Sequence, residues 1–338
     1  MRALKIIKNR SDIGAGTRGS DLGVDALEIA AINAKNDFFN RHQYFDLQTH
    51  NESIYNKVNN TFAKRIAFVL EQCKRVRDAT EKTLLEGFFP LILSGDHSSA
   101  LGTMAGIQKA FPKEKVGVIW IDAHTDLHSP LSTPSGNVHG MPLGAALGLN
   151  NEQLAINDYD QDSLKNWEAM KKLGVYQPLL EPQQLVYFGI RDFETEEAVL
   201  VQGLKLKYFS VEQCRKKGIE DCAKKALSHL AQMDKIYVSF DVDSLDAELV
   251  SNGTGTPVSN GFLVEEISML LHVLYSSQKM IALEVSEINP LLDHKGNSML
   301  KRSFQLFLSC LSYNFFGLIF HQTLLGEIVF FLKLLVVQ

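Results

Sequence analysis

Three metal-ligand side chains alternate directly after an apolar run in the middle of the chain. Residues 116–121 are apolar, and Asp122, His124 and Asp126 follow at every second position. In an extended chain, alternate side chains point to the same face, so these three could converge on one point at the tip of a strand. Carboxylate and imidazole groups gathered in this way bind metal ions. The spacing therefore predicts a metal site at this strand end.

Two further segments place metal ligands at the end of an apolar run. One run ends in Asp241 and Asp243, and residues 90–93 lead into Asp96 and His97. Four aspartates brought together without a cation would repel one another and raise each other's pKa. Two divalent cations would cancel their four negative charges. We therefore predict a two-metal centre, and a ligand set rich in oxygen, with two histidines and no thiolate, favours manganese over zinc.

Apolar, β-rich runs alternate along the chain with segments of helical periodicity. The predicted strands cover residues 4–7, 90–93, 116–121, 185–190, 236–240 and 280–285, and the predicted helices cover residues 60–86, 100–110, 221–232 and 264–275. Strands that are apolar throughout and separated by helices are typical of a parallel sheet covered on both faces. Ligands of such sheets bind beyond the carboxyl ends of the strands, where the acidic motifs lie. We predict an α/β protein, a three-layer α/β/α fold with a mostly parallel, doubly wound sheet.

Five motifs in a fixed order resemble the arginase branch of the ureohydrolases. They are Ser94-Gly-Asp-His97, Asp122-Ala-His-Thr-Asp126, Ser135-Gly-Asn-Val-His139-Gly140, Ser239-Phe-Asp-Val-Asp243 and Glu284-Val-Ser-Glu287-Ile-Asn-Pro290. The resemblance extends from about residue 14 to about residue 292. It implies two Mn²⁺ ions and the hydrolysis of L-arginine to L-ornithine and urea, with a hydroxide that bridges the two ions as the nucleophile.

The resemblance also implies a catalytic role for three of the matching residues. Asp126 would hydrogen-bond the hydroxide and then act as the general acid toward the leaving amine, and His139 would transfer protons at the cleft. Glu287 would pair with the substrate guanidinium through bidentate hydrogen bonds. The implied metal ligands are His97, Asp122, His124, Asp126, Asp241 and Asp243. Taken singly, each aspartate could instead cap a helix, and a lone histidine in a loop is more often structural.

The residues implied for the amino-acid end of the substrate depart partly from the family pattern. Ser135 and Asn137 match groups that receive the α-carboxylate, and Thr256 matches a threonine of the cleft, although a plain turn is the alternative there. The remaining positions, His128, Glu194 and Glu197, lie where the family binds the α-carboxylate and the α-amino group. His128 replaces a usual asparagine and Glu194 a usual aspartate. We expect these departures to affect the substrate's amino-acid end and not the metal centre.

One motif fits a competing function. Gly14-Ala-Gly16-Thr-Arg-Gly19 has the glycine spacing of a dinucleotide-binding loop and precedes a helical pattern. That fingerprint also requires a strand running directly into the first glycine. Here residues 8–12 form a polar break, so we expect a glycine-rich loop at the edge of an active-site cleft.

The bulk composition narrows the class of protein. A net charge of −5 is unlike the basic footprint of a nucleic-acid-binding protein, so we predict no nucleic-acid partner. The four cysteines are scattered without a zinc or CxxC spacing, which favours reduced thiols and a cytoplasmic location. The amino terminus lacks the apolar stretch of a signal peptide. The resemblance implies a homo-oligomer, a trimer or a hexamer.

The carboxyl-terminal segment departs from the family pattern. We predict an arginase-like domain over residues 1–300 and an atypical apolar tail over residues 301–338. The codons of residues 299–310, shifted by one inserted base, can encode the Met-Ala-Glu-Ala helix start of arginases, so a frameshift is one hypothesis. A membrane anchor is the alternative, although the run at 304–320 is interrupted by polar residues and falls short of the roughly 20 residues needed to span a bilayer.

Two rival functions remain open on the sequence. One is a sister ureohydrolase that acts on agmatine or N-formiminoglutamate. The other is an inactive or membrane-associated binding protein, disabled by its altered tail. A comparison of urea release from arginine and agmatine separates the first rival from an arginase.

Overall fold

The fold is built on one eight-stranded sheet in which all neighbouring strands are parallel. The computed structural model describes residues 2–58, 61–158 and 160–293. The sheet order is β2-β1-β3-β8-β7-β4-β5-β6. The strands are β1 (Leu4–Asn9), β2 (Gln43–Asp46), β3 (Phe89–Ser94), β4 (Val116–Ile121), β5 (Leu185–Phe188), β6 (Lys207–Phe209), β7 (Lys235–Asp241) and β8 (Met280–Ser286).

Helices cover both faces of this sheet. They are α1 (Gly23–Asn33), α2 (Phe38–Arg41), α3 (Ile66–Leu85), α4 (Ala100–Ala110), α5 (Pro142–Ala146), α6 (Gln161–Lys171), α7 (Thr195–Gly203), α8 (Val211–Lys217), α9 (Ile219–His229) and α10 (Val264–Ser276). Alternate residues of the central strand β4 enter different cores: Ile119 belongs to the core that includes residues of α1, α9 and α10, and Trp120 to the core that includes residues of α3, α4 and α6. A strand buried on both sides must be apolar throughout. The predicted three-layer α/β/α fold is confirmed.

Helices α3 and α4 pack closely because glycines face the contact. A Cβ added at Gly102 would overlap the carbonyl oxygen of Cys73, and one added at Gly106 would overlap that of Arg77. Only hydrogen fits between the two backbones at these positions. This close packing fixes the layer that supports the carboxyl end of β3.

The structure adds elements that the sequence pattern does not predict. The edge strands β2 and β6 are short and largely exposed, so neither contains a continuous apolar run. Helix α3 begins at Ile66 and not at residue 60. The predicted tail at 301–338 lies outside the described residues. Within the described ranges, no helix is both long and apolar enough to cross a membrane.

Candidate metal centre and active site

Four adjacent strands deliver the predicted ligands to one edge of the sheet. Strands β3, β8, β7 and β4 are neighbours, and their carboxyl ends lie together because all four are parallel. Asp122 follows β4, Asp241 ends β7, and His97 follows β3 by three residues. The fourth strand, β8, leads into Glu287. Residues that are distant in sequence are therefore brought to a single point.

One group of ligands is centred on the imidazole of His97. Its Nδ1 lies 3.0 Å from Asp122 Oδ2, 3.2 Å from Asp126 Oδ2 and 3.1 Å from Asp241 Oδ2. All four side chains are almost fully buried. We name this set the His97 group.

A second group is centred on His124. Its Nδ1 lies 2.9 Å from Asp243 Oδ2 and 3.5 Å from Asp122 Oδ1. We name His124, Asp243 and Asp122 the His124 group. Asp122 thus belongs to both groups, with one carboxylate oxygen facing each histidine. All six predicted ligands are brought together by the fold.

Two of the buried ligand atoms have no hydrogen-bond partner in the described part of the chain. His97 Nδ1 and Asp126 Oδ2 are buried without a hydrogen-bond partner among the described residues. Burial raises the pKa of Asp126 to about 6, and the neighbouring Asp122 charge adds to this effect. Burial likewise raises the pKa of Asp241, with repulsion from Asp243 and Asp122. Unpaired ligand atoms and mutually repelling carboxylates fit a site built around cations.

Comparisons with known proteins agree with this geometry. The family described as "Arginase family" matches residues 4–311. The arginase of Bacillus subtilis (strain 168) is 31% identical over 299 residues, which cover 88% of this chain and 94% of that protein. The chain belongs to the arginase family.

Solved structures extend the likeness to the fold. The arginase of Bacillus caldovelox superposes with a TM-score of 0.76 at 28% identity, covering 92% of this chain and 98% of that one. The arginase of Entamoeba histolytica in complex with L-ornithine gives a TM-score of 0.76 at 25% identity, covering 92% and 97%. The protein is thus an arginase-type hydrolase of a metal-dependent family, with side-chain clusters suited to metal binding.

The ring of His97 is oriented by two contacts besides the ligands. Its Nε2 lies 2.7 Å from Ser239 Oγ, and its ring stacks on Trp120 with 4.1 Å between centroids. Trp120 Nε1 also donates to Asp122 Oδ2 at 3.0 Å. A hydrogen bond at Nε2 leaves Nδ1 as the ligand atom of this histidine.

His139 and Glu287, both predicted catalytic residues, contact each other directly. His139 Nδ1 lies 3.0 Å from Glu287 Oε1, which also accepts from the backbone N of His97 at 3.0 Å. Burial alone would lower the pKa of His139, but the carboxylates of Glu287, Asp96 and Asp126 together outweigh it and raise the pKa to about 9. Glu287 and Asp126 both adopt left-handed backbone conformations, with φ of 66° and 55°. Non-glycine residues hold such conformations at a cost, and this pattern is concentrated at functional sites.

The glycine-rich loop lies beside these residues. Gly14 N donates to Asp96 Oδ2 at 2.8 Å, and Gly14 O accepts from His139 N at 3.1 Å. The side chain of Asn137 lies against Gly16. The loop therefore borders the candidate site, as we predicted, and Asp96 holds it in place.

The predicted carboxylate-binding segment has a basic neighbour that the sequence pattern does not reveal. Asn137 Oδ1 accepts a hydrogen bond from Lys64 Nζ at 3.2 Å, whereas Ser135 is exposed and its Oγ accepts from the nearby Asn137 N. The turn between them needs Gly136, with φ of 74°, because a Cβ there would overlap the carbonyl oxygen of Thr61. Lys64 lies just before α3, far from Asn137 in sequence, so no local pattern could have identified it.

His128, Glu194 and Glu197 form a separate cluster. His128 Nε2 lies 3.1 Å from Glu194 Oε2 and 3.6 Å from Glu197 Oε2. Glu197 is buried, and its Oε1 accepts hydrogen bonds from Thr125 Oγ1 and Leu127 N. Burial raises the pKa of Glu197 to about 7. The last predicted substrate contact, Thr256, donates to Asp243 Oδ2 at 3.0 Å and so lies against the His124 group.

Arg191 is a second residue whose importance the sequence pattern does not reveal. Its guanidinium donates to the carbonyl oxygens of Gly189, Asp243, Leu245, Val258 and Ser259. These bonds join the loops after β5 and β7 to the segment that carries Thr256. Arg191 therefore fixes the loop around the His124 group.

Proposed function

We propose that this arginase-family enzyme is a binuclear manganese hydrolase that cleaves L-arginine to L-ornithine and urea. The observation that carries the proposal is the meeting of six oxygen and nitrogen ligands in two groups that share Asp122. The His97 group would hold one cation and the His124 group the other. The predominance of carboxylate ligands supports manganese. Two such cations, when bound, lower the pKa of water and so supply hydroxide at neutral pH.

The protein's own residues then position the substrate and move the proton. Burial raises the pKa of Asp126 to about 6, so its carboxylate can accept a proton and return it to the leaving amine. Glu287 is an acceptor placed beside His97, and a guanidinium can donate two parallel hydrogen bonds to a carboxylate. His139, held by Glu287, can exchange protons at the cleft.

The amino-acid end of the site supports arginine as the substrate. Lys64 and Asn137 provide a cation and an amide where an α-carboxylate would bind. Glu194 and Glu197 provide acceptors for an α-ammonium group. Agmatine lacks the carboxylate, so Lys64 would favour arginine over it. The arginase of Entamoeba histolytica forms a complex with L-ornithine, an amino acid with both of these groups.

Urea release decides between the candidate substrates. Metal-free protein is loaded with two equivalents of Mn²⁺, and urea is measured with arginine and with agmatine, while formamide release is measured with N-formiminoglutamate. We expect arginine to give the highest kcat/KM, with activity proportional to bound manganese. Efficient turnover of agmatine without turnover of arginine would contradict the proposal.

We propose a cytoplasmic homo-oligomer, a trimer or a hexamer, whose hydrolase domain covers residues 1–300. The oligomeric state is measured by light scattering on the full chain. Comparison with a chain whose reading frame is restored after residue 299 shows what residues 301–338 contribute.

A further inference from the structure

The turn that carries Asp126 is held in place by neighbouring segments. Asp126 has a left-handed backbone, with φ of 55°. Such a conformation is costly for a non-glycine residue and persists only where its surroundings determine it. The carbonyl oxygen of Asp126 accepts from Leu143 N and Gly144 N, both at 3.1 Å, and that of Thr125 accepts from Tyr187 Oη at 2.8 Å. The carbonyl groups of the turn are thus bound by α5 and β5.

The carboxylate of Glu197 binds the residues on both sides of Asp126. Its Oε1 accepts from Thr125 Oγ1 at 2.5 Å and from Leu127 N at 3.2 Å. Glu197, Thr125 and Leu127 are each at most 2% exposed. A buried donor that loses its acceptor costs free energy, because water does not replace the lost partner. One carboxylate oxygen therefore holds together the two residues that flank the ligand.

The second oxygen of Glu197 fixes this side chain on α7. Oε2 accepts from Glu194 N at 3.3 Å, which closes a capping box in the first turn of the helix. It also lies 3.6 Å from His128 Nε2, in the cluster that we assign to the substrate. Oε1 thus serves the turn and Oε2 the cluster, so Glu197 joins the loop after β4 to α7.

The contact with the turn requires an acceptor and not a negative charge. The two donors at Oε1 are a hydroxyl and a backbone amide, and both are uncharged. The side-chain oxygen of a glutamine accepts two hydrogen bonds as well. An α-ammonium group, in contrast, is attracted by the charge of a carboxylate. Glutamine at position 197 therefore keeps the first role and removes the second.

We propose that Glu197 is a positioning residue for metal binding, which holds the left-handed turn at Asp126 and so keeps the Asp126 carboxylate in the His97 group. This inference rests on the proposed pair of cations. It gives Glu197 a role besides its contact with the substrate. Asp126 lies in the His97 group and not in the His124 group. Loss of the acceptor at Glu197 should therefore weaken the binding of one cation.

A manganese titration of the full-length, metal-free protein tests this inference. The main variant is Glu197→Met, which keeps the length of the side chain and removes both acceptor oxygens. The matched control is Glu197→Gln, which retains one. Thr125→Val removes a single donor to Oε1 and leaves the capping box of α7 intact. Calorimetric titration with Mn²⁺ gives the two dissociation constants, and thermal melts of the metal-free variants report on folding.

We expect the wild type to bind two equivalents of manganese. In Glu197→Met one of them should be bound about 10-fold more weakly, as is common when a group that orients a ligand is lost, and the other should stay within about 2-fold. Thr125→Val should weaken the same equivalent about 5-fold, the effect of one hydrogen bond. Glu197→Gln should keep both constants within about 2-fold of the wild type, because the acceptor remains.

Three results would overturn this inference while the two-cation proposal stands. They are unchanged constants in Glu197→Met, equal weakening of both equivalents, and a loss in Glu197→Gln as large as that in Glu197→Met. If Glu197→Met does not fold, unchanged constants in Thr125→Val overturn the inference instead. A wild type that binds no manganese overturns both proposals.

Discussion

The imidazole Nε2 of His128 lies 3.1 Å from a carboxylate oxygen of Glu194, in the cluster that we assign to the substrate's α-amino group. The hydrogen bond from His128 lowers the pKa of Glu194 to about 2. Glu194 is thus negatively charged at neutral pH, and an incoming ammonium group would share it with the histidine.

Replacement of Glu194 by glutamine should weaken the binding of substrates that carry an α-amino group. We expect the KM for arginine to rise roughly five-fold, the effect of losing one charged contact in a half-exposed site. The control is 5-guanidinopentanoate, which lacks the α-amino group and should keep its wild-type KM. Equal increases for both compounds would show that Glu194 does not contact this group.

Lys64 gives a matching prediction for the α-carboxylate of the substrate. Lys64→Gln should raise the KM for arginine about five-fold by removing the cation beside Asn137, and it should leave the kcat/KM for agmatine unchanged. Lys64→Arg retains the charge and serves as the control. Steady-state kinetics with both substrates measure the effect, and a loss in kcat alone would argue against carboxylate binding by Lys64.

The contact between His139 and Glu287 predicts a pH dependence of stability in the metal-free protein. The folded pKa of His139, about 9, lies above its ordinary unfolded value of about 6.5. Its stabilising contribution is therefore complete below pH 6.5 and is lost as the pH rises through 9. We expect the wild type to melt roughly 3–6 °C above His139→Gln at pH 6, with the difference vanishing by pH 10. Chelated samples melted across this range provide the measurement, and a difference that does not change with pH would contradict the assignment.

The close packing of α3 on α4 predicts a loss of stability that is independent of catalysis. Gly106→Ala places a methyl group against the Arg77 carbonyl and should cost about 1–3 kcal/mol in the free energy of unfolding. Gly203→Ala is the control, since a Cβ there meets nothing within 4 Å. Urea denaturation of both variants compares them, and equal stability would show that the helices can separate.

The metal ligands could be predicted from sequence because their signal is local. Each ligand follows an apolar run within five residues, as Asp122 follows β4, and a parallel sheet gathers such ends without further information. The roles of Lys64 and Arg191 could not be predicted in this way. Their contacts depend on strand register and on loop positions, which the spacing within one segment does not encode.

The prediction of strands from sequence is limited in the same way, because it depends on burial. β4 and β7 are buried on both sides and therefore read as continuous apolar segments. β2 and β6 lie at the edges, where exposed residues such as Gln43 and Lys207 interrupt the apolar pattern. An edge strand forms by pairing with a single neighbouring strand. The sequence of the edge strand alone does not identify that neighbour.

The left-handed backbone at Asp126 and Glu287 has a consequence for laboratory evolution of this enzyme. Glycine or asparagine would adopt the same conformation with less strain, by about 1 kcal/mol or more at Glu287. A library screened only for heat tolerance would therefore enrich such replacements and discard the carboxylate. Screens for a more robust catalyst should keep both codons constant.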